Sequence, residues 1–333
     1  MIFCFVFDII EKTHIFTAKE GFLVSVKKIL YPIIFAVCLI SFTVYLLLDT
    51  FIIEQVYAPI MPLPSETEYT APETENETVQ TEMPEENTEP IITDNYYFDG
   101  EIEITITQYR EYDSDIYVAD VKLADVKYLK TAFAKNTFGK NIKQETSVIA
   151  QDNNAIFAVN GDFYGSQESG FVLKNGLLYR ADPIKKQEDL VIFYDGSFDF
   201  VIETEVSAYD LYENGAYQIL AFGPSLLKNG QPTGSNNAPR GAIKKNNPRT
   251  AIGRVNDLHY MFVVCDGRTD ISKGMTTDEL AEFMQNLGVI DAYNLDGGGS
   301  ATMYFNGKLV NNPTFDGNNF EERNVSDIVY VGY

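Results

Sequence analysis

The sequence predicts an α+β (mixed α/β) protein: a central mixed sheet with flanking helices in one globular domain behind an N-terminal transmembrane helix. Three observations predict it. An uncharged apolar run extends from Ile29 to Leu48, a capped amphipathic helix lies between Thr276 and Leu287, and strand-like apolar runs separated by glycine turns fill much of the rest.

The chain is expected to divide into residues 1–28, a cytoplasmic N-terminus; 29–53, a transmembrane anchor; 54–94, a disordered acidic tether; and 95–333, the extracellular domain. The apolar run is long enough to cross a bilayer core, and no small-residue cleavage site follows it, so it reads as an uncleaved anchor. Lys27 and Lys28 precede it, and no Lys or Arg follows until Arg110, which puts the N-terminus in the cytoplasm and the rest outside. Residues 54–94 hold eleven acidic residues and no basic one, in a Glu, Thr and Pro composition. Such a stretch buries too little apolar surface to offset its chain entropy. The short apolar start, Ile2 to Phe7, has no role that its residues reveal.

Charge and cysteine content narrow the function. The chain carries −23, and from Asn95 onward 33 acidic residues face 21 basic ones, which argues against a nucleic-acid partner. Cys265 is the one cysteine outside the membrane and cytoplasmic parts, so the exported domain has no intrachain disulfide. Export without disulfides suits a Gram-positive host.

Within the domain, Glu101 to Tyr109 and Asp115 to Leu123 alternate as strands, and helical stretches are expected at Asp125 to Ala134 and Thr146 to Gln151. Ala155 to Val159 is a doubly buried strand that exits through Asn160-Gly161-Asp162. Asn175-Gly176 and Asp195-Gly196 mark hairpin turns. The polar stretch Gly234 to Asn247 has the length of a lid or binding loop. A hairpin turning at Asn256-Asp257 leads into the strand His259 to Cys265, which exits through Asp266-Gly267-Arg268. Thr276 and Glu279 have capping-box spacing, which makes Glu279 structural, and Gly288 ends the helix. The strand after it delivers Asn294-Leu295-Asp296 to the glycines Gly297, Gly298 and Gly299, followed by Ser300 and Thr302, and Asn324 to Tyr333 reads as a closing strand. Three consecutive glycines let bare backbone N–H groups approach an oxyanion and adopt positive φ without strain.

Carboxylates are the chemistry the inventory leaves. His259 is the domain's one histidine and alternates with apolar residues as a strand position, so a His/Cys zinc site is excluded. Asp162, Asp266 and Asp296 each stand beside glycine at a strand exit, and paired carboxylates flanking a scissile bond suit glycoside cleavage. Arg249, Arg268 and Arg323 can hold a phosphate by bidentate hydrogen bonds. The chain has no Trp, so sugar stacking falls to Tyr and Phe. No metal or cofactor is expected. Ca²⁺ near Asp296 would have to bind without EF-hand spacing.

Asn160 to Tyr164, Pro248 to Gly253, Gly274-Met275-Thr276 with Glu279-Leu280-Ala281, Asn294 to Thr302, and Arg323 with Val325-Ser326 resemble, in order, the phosphodiester glycosidase family. That family contains N-acetylglucosamine-1-phosphodiester α-N-acetylglucosaminidases and bacterial exopolysaccharide-biosynthesis-type members. The resemblance implies hydrolysis of a sugar-1-phosphodiester at the glycosidic C1–O bond. It implies Asp296 as the carboxylate that activates water or traps the oxocarbenium, with Asp266 or Asp162 as its partner. Arg249 and Arg268 would hold phosphate, and Asn160, Thr250, Asn294, the Gly297, Gly298 and Gly299 turn, Ser300 and Arg323 complete the substrate-binding set. The expected substrate is a carbohydrate or phospho-glycan of the envelope or exopolysaccharide. The alternative is a non-catalytic module that binds anionic envelope glycopolymer.

Overall fold

The computed structural model describes residues 20–60, 89–234 and 245–333, in two compact units that divide between Ile53 and Glu54. Among the described residues, the first unit holds the helix α1 (Glu20–Phe51). Its stretch Leu30–Phe51 is 22 residues, long and apolar enough to cross a membrane.

The second unit contains β1 (Ile102–Glu111), β2 (Ser114–Leu123), β3 (Leu129–Phe133), α2 (Thr146–Asp152), β4 (Phe157–Asn160), α3 (Ala208–Glu213), β5 (Arg249–Asn256), β6 (His259–Cys265), α4 (Thr277–Asn286), β7 (Asp291–Asn294), β8 (Met303–Phe305) and β9 (Asp327–Val331), together with further strands. One sheet runs Gln231–Pro232, Ser225–Lys228, β7, β5, β6, β2, β1, Tyr96–Phe98, Ile91–Ile92; a second runs Lys308–Leu309, β8, β4, β9, β3. The α+β class holds. The strands, expected in one mixed sheet, pair antiparallel in several sheets: tight turns join β1 to β2 and β5 to β6, and the other pairs bring together strands distant in sequence. Tyr112 and Asp113, at φ 50° and 52°, close β1 onto β2 as a two-residue turn.

The layers follow from side-chain alternation. Tyr117, Ala119 and Val121 of β2 and Phe262 and Val264 of β6 share one core with Phe157 and Val159 of β4 and Val329 and Val331 of β9. Phe157 and Phe262 meet there with ring centroids 5.0 Å apart. The opposite face of the first sheet, through Val118, Met261 and Val263, is covered by Leu280, Phe283 and Met284 of α4. The opposite face of the second sheet, through Ala158, Ile328 and Tyr330, is covered by Ile149 and Ala150 of α2. The order is helix, sheet, sheet, helix.

The expected capping box closes α4: Thr276 Oγ1 accepts from the Glu279 N–H at 3.2 Å, and Glu279 Oε2 accepts from the Thr276 N–H at 2.8 Å. The helix expected at 125–134 is replaced by a short 3-10 turn (Val126–Tyr128) and strand β3. Asp125 caps that turn by accepting from the Lys127 N–H at 2.8 Å, and β3 then pairs with β9, about 200 residues downstream. Long-range pairing overrides the local helical spacing. At the ends of the expected tether, Gln55–Val56 pairs with Gly139–Lys140 and Ile91–Ile92 pairs with Tyr97 and Phe98. Residues 61–88, and most of the expected lid at 235–244, lie outside the described residues.

Candidate active site

Because β5 is antiparallel to both β6 and β7, the start of β5 and the ends of β6 and β7 lie at one end of the first sheet. Asn160, at the end of β4, joins the second sheet to that end. Its buried amide donates to the Asp296 carbonyl at 2.6 Å. Its Oδ1 accepts from Thr250 Oγ1 at 2.8 Å and from the Thr302 N–H at 3.2 Å. The Asp296 N–H donates to the Gly161 carbonyl at 3.3 Å, so the Asp296 backbone is held from both sides. Asn160 and Thr250, expected to touch substrate, are wholly buried and act here as braces.

The Asp296 side chain is 13% exposed and 4.0 Å from Arg323 Nη2. Ser300 Oγ donates to its Oδ2 at 2.7 Å and the Gly297 N–H to its Oδ1 at 2.9 Å. Burial pushes this carboxyl above the ordinary Asp value, with Ser300, Arg323 and the Gly297 N–H opposing and Asp162 adding to the rise. Each glycine of the turn makes room for a protein neighbour. A Cβ on Gly297 would lie 2.7 Å from the Pro248 carbonyl oxygen, on Gly298 2.6 Å from Arg268 Nη2, and on Gly299 3.1 Å from the Phe315 ring and 3.4 Å from Arg323 Cδ. Gly298 alone of the three has positive φ, at 63°. The triplet draws two arginines and a phenylalanine onto the carboxylate-bearing turn.

The cations do not all fall where the sequence suggests. Arg268 donates from Nε to Asn247 Oδ1 at 3.0 Å and from Nη1 to the Phe315 carbonyl at 2.5 Å. Its guanidinium lies 5.8 Å from the Phe315 ring centroid. Burial and then Arg323 lower its pKa. Arg249 is 5% exposed and donates to the Met275 and Lys245 carbonyls at 2.9 and 2.8 Å. Desolvation lowers that guanidinium to about 10. It stitches the loop leading into β5 to the residue preceding the α4 cap. Nothing in the sequence marks Lys143. The pairing of Gln144 with Val325 brings its segment alongside the one that carries Arg323. Partial desolvation by its neighbours lowers the pKa of this solvent-reaching ammonium, Arg323 lowers it further, and Asp296 opposes.

The other two carboxylates are committed elsewhere. The Asp162 side chain, 0% exposed, pairs with Lys174 at 2.9 Å and accepts from the Tyr164 and Ala221 N–H groups. Lys174 also pairs with Asp327 at 3.0 Å. Burial opposes the Lys174 charge, but the two carboxylates outweigh it and raise its pKa. Asp327 is pushed up by burial and by Asp162. Asp266 accepts from Asn311 Nδ2 at 2.8 Å and from the Asn312 N–H. Burial raises it to about 6 against those hydrogen bonds. Asn311 also accepts from the Met303 N–H, so Asp266 steadies the segment after the glycine turn. Asp162 and Asp266, expected as partner carboxylates, are both buried and held by protein donors. Asn294 is buried on β7 and donates to the Gly223 carbonyl at 2.8 Å, behind the turn.

His259 pairs with Asp120 at 2.7 Å on the strand, away from these groups. Burial pushes the Cys265 thiol up to about 12. Among the described residues, no group of three or more His, Cys, Asp and Glu side chains could hold a metal ion.

A family model described as phosphodiester glycosidase matches residues 153–332, more than half of the chain. The SPbeta prophage-derived protein YomE of Bacillus subtilis is 31% identical over 190 residues, 56% of this chain and 29% of that protein. N-acetylglucosamine-1-phosphodiester alpha-N-acetylglucosaminidase of Bos taurus is 36% identical over 104 residues, 31% of this chain and 19% of that protein. The matched stretch thus spans less than a third of the length of either relative. Among solved structures, the catalytic domain of the zebrafish N-acetylglucosamine-1-phosphodiester alpha-N-acetylglucosaminidase, auto-inhibited by its pro-peptide, superposes with TM-score 0.57 at 22% identity, over 70% of this chain and 83% of that one. A hypothetical protein from Synechocystis superposes with TM-score 0.50 at 14% identity, over 69% of this chain and 62% of that one. Both share the fold.

Proposed function

Because this chain belongs to the phosphodiester glycosidase family, we propose that it is a hydrolase that cleaves the glycosidic C1–O bond of a sugar-1-phosphodiester of the N-acetylglucosamine type. The observation that carries the reading is the Asp296 carboxylate, oriented by Ser300 at 2.7 Å and the Gly297 N–H at 2.9 Å with Arg323 at 4.0 Å.

A phosphomonoester is a good leaving group, so the reaction needs little general-acid help. The larger demands are a carboxylate at the anomeric carbon and positive charge at the departing phosphate. Asp296 stabilises the oxocarbenium-like carbon and takes a proton from the attacking water. The water oxygen bonds to C1 as the C1–O bond breaks, and the phosphomonoester leaves with the bonding pair. Arg323, Arg268 and Lys143 receive that charge. Asp162 and Asp266 serve as braces, as does Arg249. The substrate lies in an envelope or exopolysaccharide glycan, and α1 anchors the enzyme with its N-terminus in the cytoplasm and the second unit outside the cell of a Gram-positive bacterium.

Release of N-acetylglucosamine from a methyl N-acetylglucosamine-1-phosphodiester by the purified chain tests the reading. A non-catalytic module that binds anionic glycopolymer is the second reading. It is favoured by Asp162 and Asp266 being tied up, which among the described residues leaves Asp296 without a carboxylate partner in direct contact. Polymer binding with no turnover on any sugar phosphodiester would select it.

A further inference from the structure

The charges around Asp296 do not match a phosphodiester. Arg323 stands 4.0 Å from the carboxylate. The absent Cβ of Gly298 makes room for Arg268, pinned by Asn247 and Phe315. Lys143 is exposed on a segment locked to the Arg323 segment by reciprocal main-chain bonds, Gln144 N–H to Val325 O at 3.0 Å and Val325 N–H to Gln144 O at 2.7 Å. Ser147 reinforces the lock by donating its N–H to Glu322 at 2.9 Å. Three cations lie about the Asp296 turn, one positive charge more than Asp296 and a monoanionic diester together would offset, in a domain that is otherwise strongly acidic. A phosphodiester brings one negative charge, whereas a phosphomonoester or inorganic phosphate brings close to two at neutral pH. Lys143 also precedes the stretch that the family model matches, so this cation is supplied by a part of the chain the family match does not cover.

We propose that Lys143, Arg268 and Arg323 form one cationic cradle beside Asp296 that binds a dianionic phosphate group more tightly than a monoanionic diester, so that the phosphomonoester product and inorganic phosphate compete with substrate. The inhibition rests on the hydrolase reading; the phosphate site itself does not. A cradle that matches the product better than the substrate makes product release the slow step and couples turnover to ambient phosphate.

Titration calorimetry at pH 8 with inorganic phosphate and with dimethyl phosphate tests the cradle without turnover. The expected result is at least about tenfold tighter binding of inorganic phosphate, and a loss of at least about tenfold in K143M and in R323Q. With a methyl N-acetylglucosamine-1-phosphodiester as substrate, inorganic phosphate should inhibit competitively, and K143M should weaken that inhibition more than it raises KM. Equal affinity for the two anions, or phosphate binding unchanged in both variants, overturns the proposal even if turnover is observed. Phosphate binding with the expected preference but no turnover on the diester keeps the cradle and defeats the hydrolase.

Discussion

The Asn160 side-chain amide donates to the Asp296 main-chain carbonyl at 2.6 Å. This bond ties the end of a strand in one sheet to the turn that follows a strand in the other. The same side chain accepts from Thr250 and Thr302, so one buried amide sets where the candidate catalytic carboxylate sits relative to both sheets. Asn160→Ala strands three buried groups without partners. It should cost at least about 2 kcal/mol of stability and lower kcat/KM in the protein that stays folded. Denaturant titration measures the first, and an unchanged midpoint contradicts the bracing role.

Lys174 should be among the least replaceable residues of the domain. Its ammonium is 2% exposed and lies within 3.0 Å of both Asp162 and Asp327, each 0% exposed. Removing it in Lys174→Met leaves two buried carboxylates uncompensated, at a cost of about 3–5 kcal/mol. The deficit should shrink as pH falls, because protonation neutralises those carboxylates in the variant. Thermal melts at pH 5 and pH 8 measure it, and a deficit that does not depend on pH contradicts the charge argument.

Arg323 should set the acid limb of activity. Burial raises the Asp296 carboxyl, and Arg323 favours its ionised form. In Arg323→Gln that support is lost, so the carboxyl protonates at higher pH and the acid limb of kcat/KM moves upward. At neutral pH kcat/KM should fall by about 100-fold or more, as for loss of one group that stabilises a developing anion. A profile that only drops, with its limb unmoved, places Arg323 away from the carboxylate.

Asp266 links stability to pH in the direction opposite to most carboxylates. Burial raises it from 3.8 to about 6 in the folded chain. The folded chain therefore keeps a proton that the unfolded chain releases, and this contribution is present at low pH and lost as pH rises through about 6. The stability difference between wild type and Asp266→Asn should fall by up to about 3 kcal/mol from pH 3 to pH 8. A flat difference removes Asp266 from the pH dependence.

What the sequence discloses is what neighbouring residues decide. Thr276 and Glu279 announce the cap of α4 because both halves of the box lie within one turn. The Asn175-Gly176 turn, at φ 50° and 74°, is equally local. The pairing of β3 with β9 is not, so residues 125–134 look helical and fold otherwise. The site divides the same way. The Asp296 turn is legible in its glycines. Lys143 lies in a loop with no motif, and Lys174 sits beside a hairpin turn, where a solvent-facing lysine is the ordinary reading. Both acquire meaning through partners distant in sequence, Arg323 for one and Asp327 for the other. Arg249 stands in the clearer motif, yet its Nε and Nη2 bond main-chain carbonyls, while Arg268 reaches the glycine turn.

The most direct measurement is the release of N-acetylglucosamine from a methyl N-acetylglucosamine-1-phosphodiester by wild type and by Asp296→Asn, with circular dichroism on both. Wild type should turn the substrate over, and the variant should lose at least about 100-fold with the fold unchanged. Equal rates in the two folded proteins would contradict the catalytic role of Asp296.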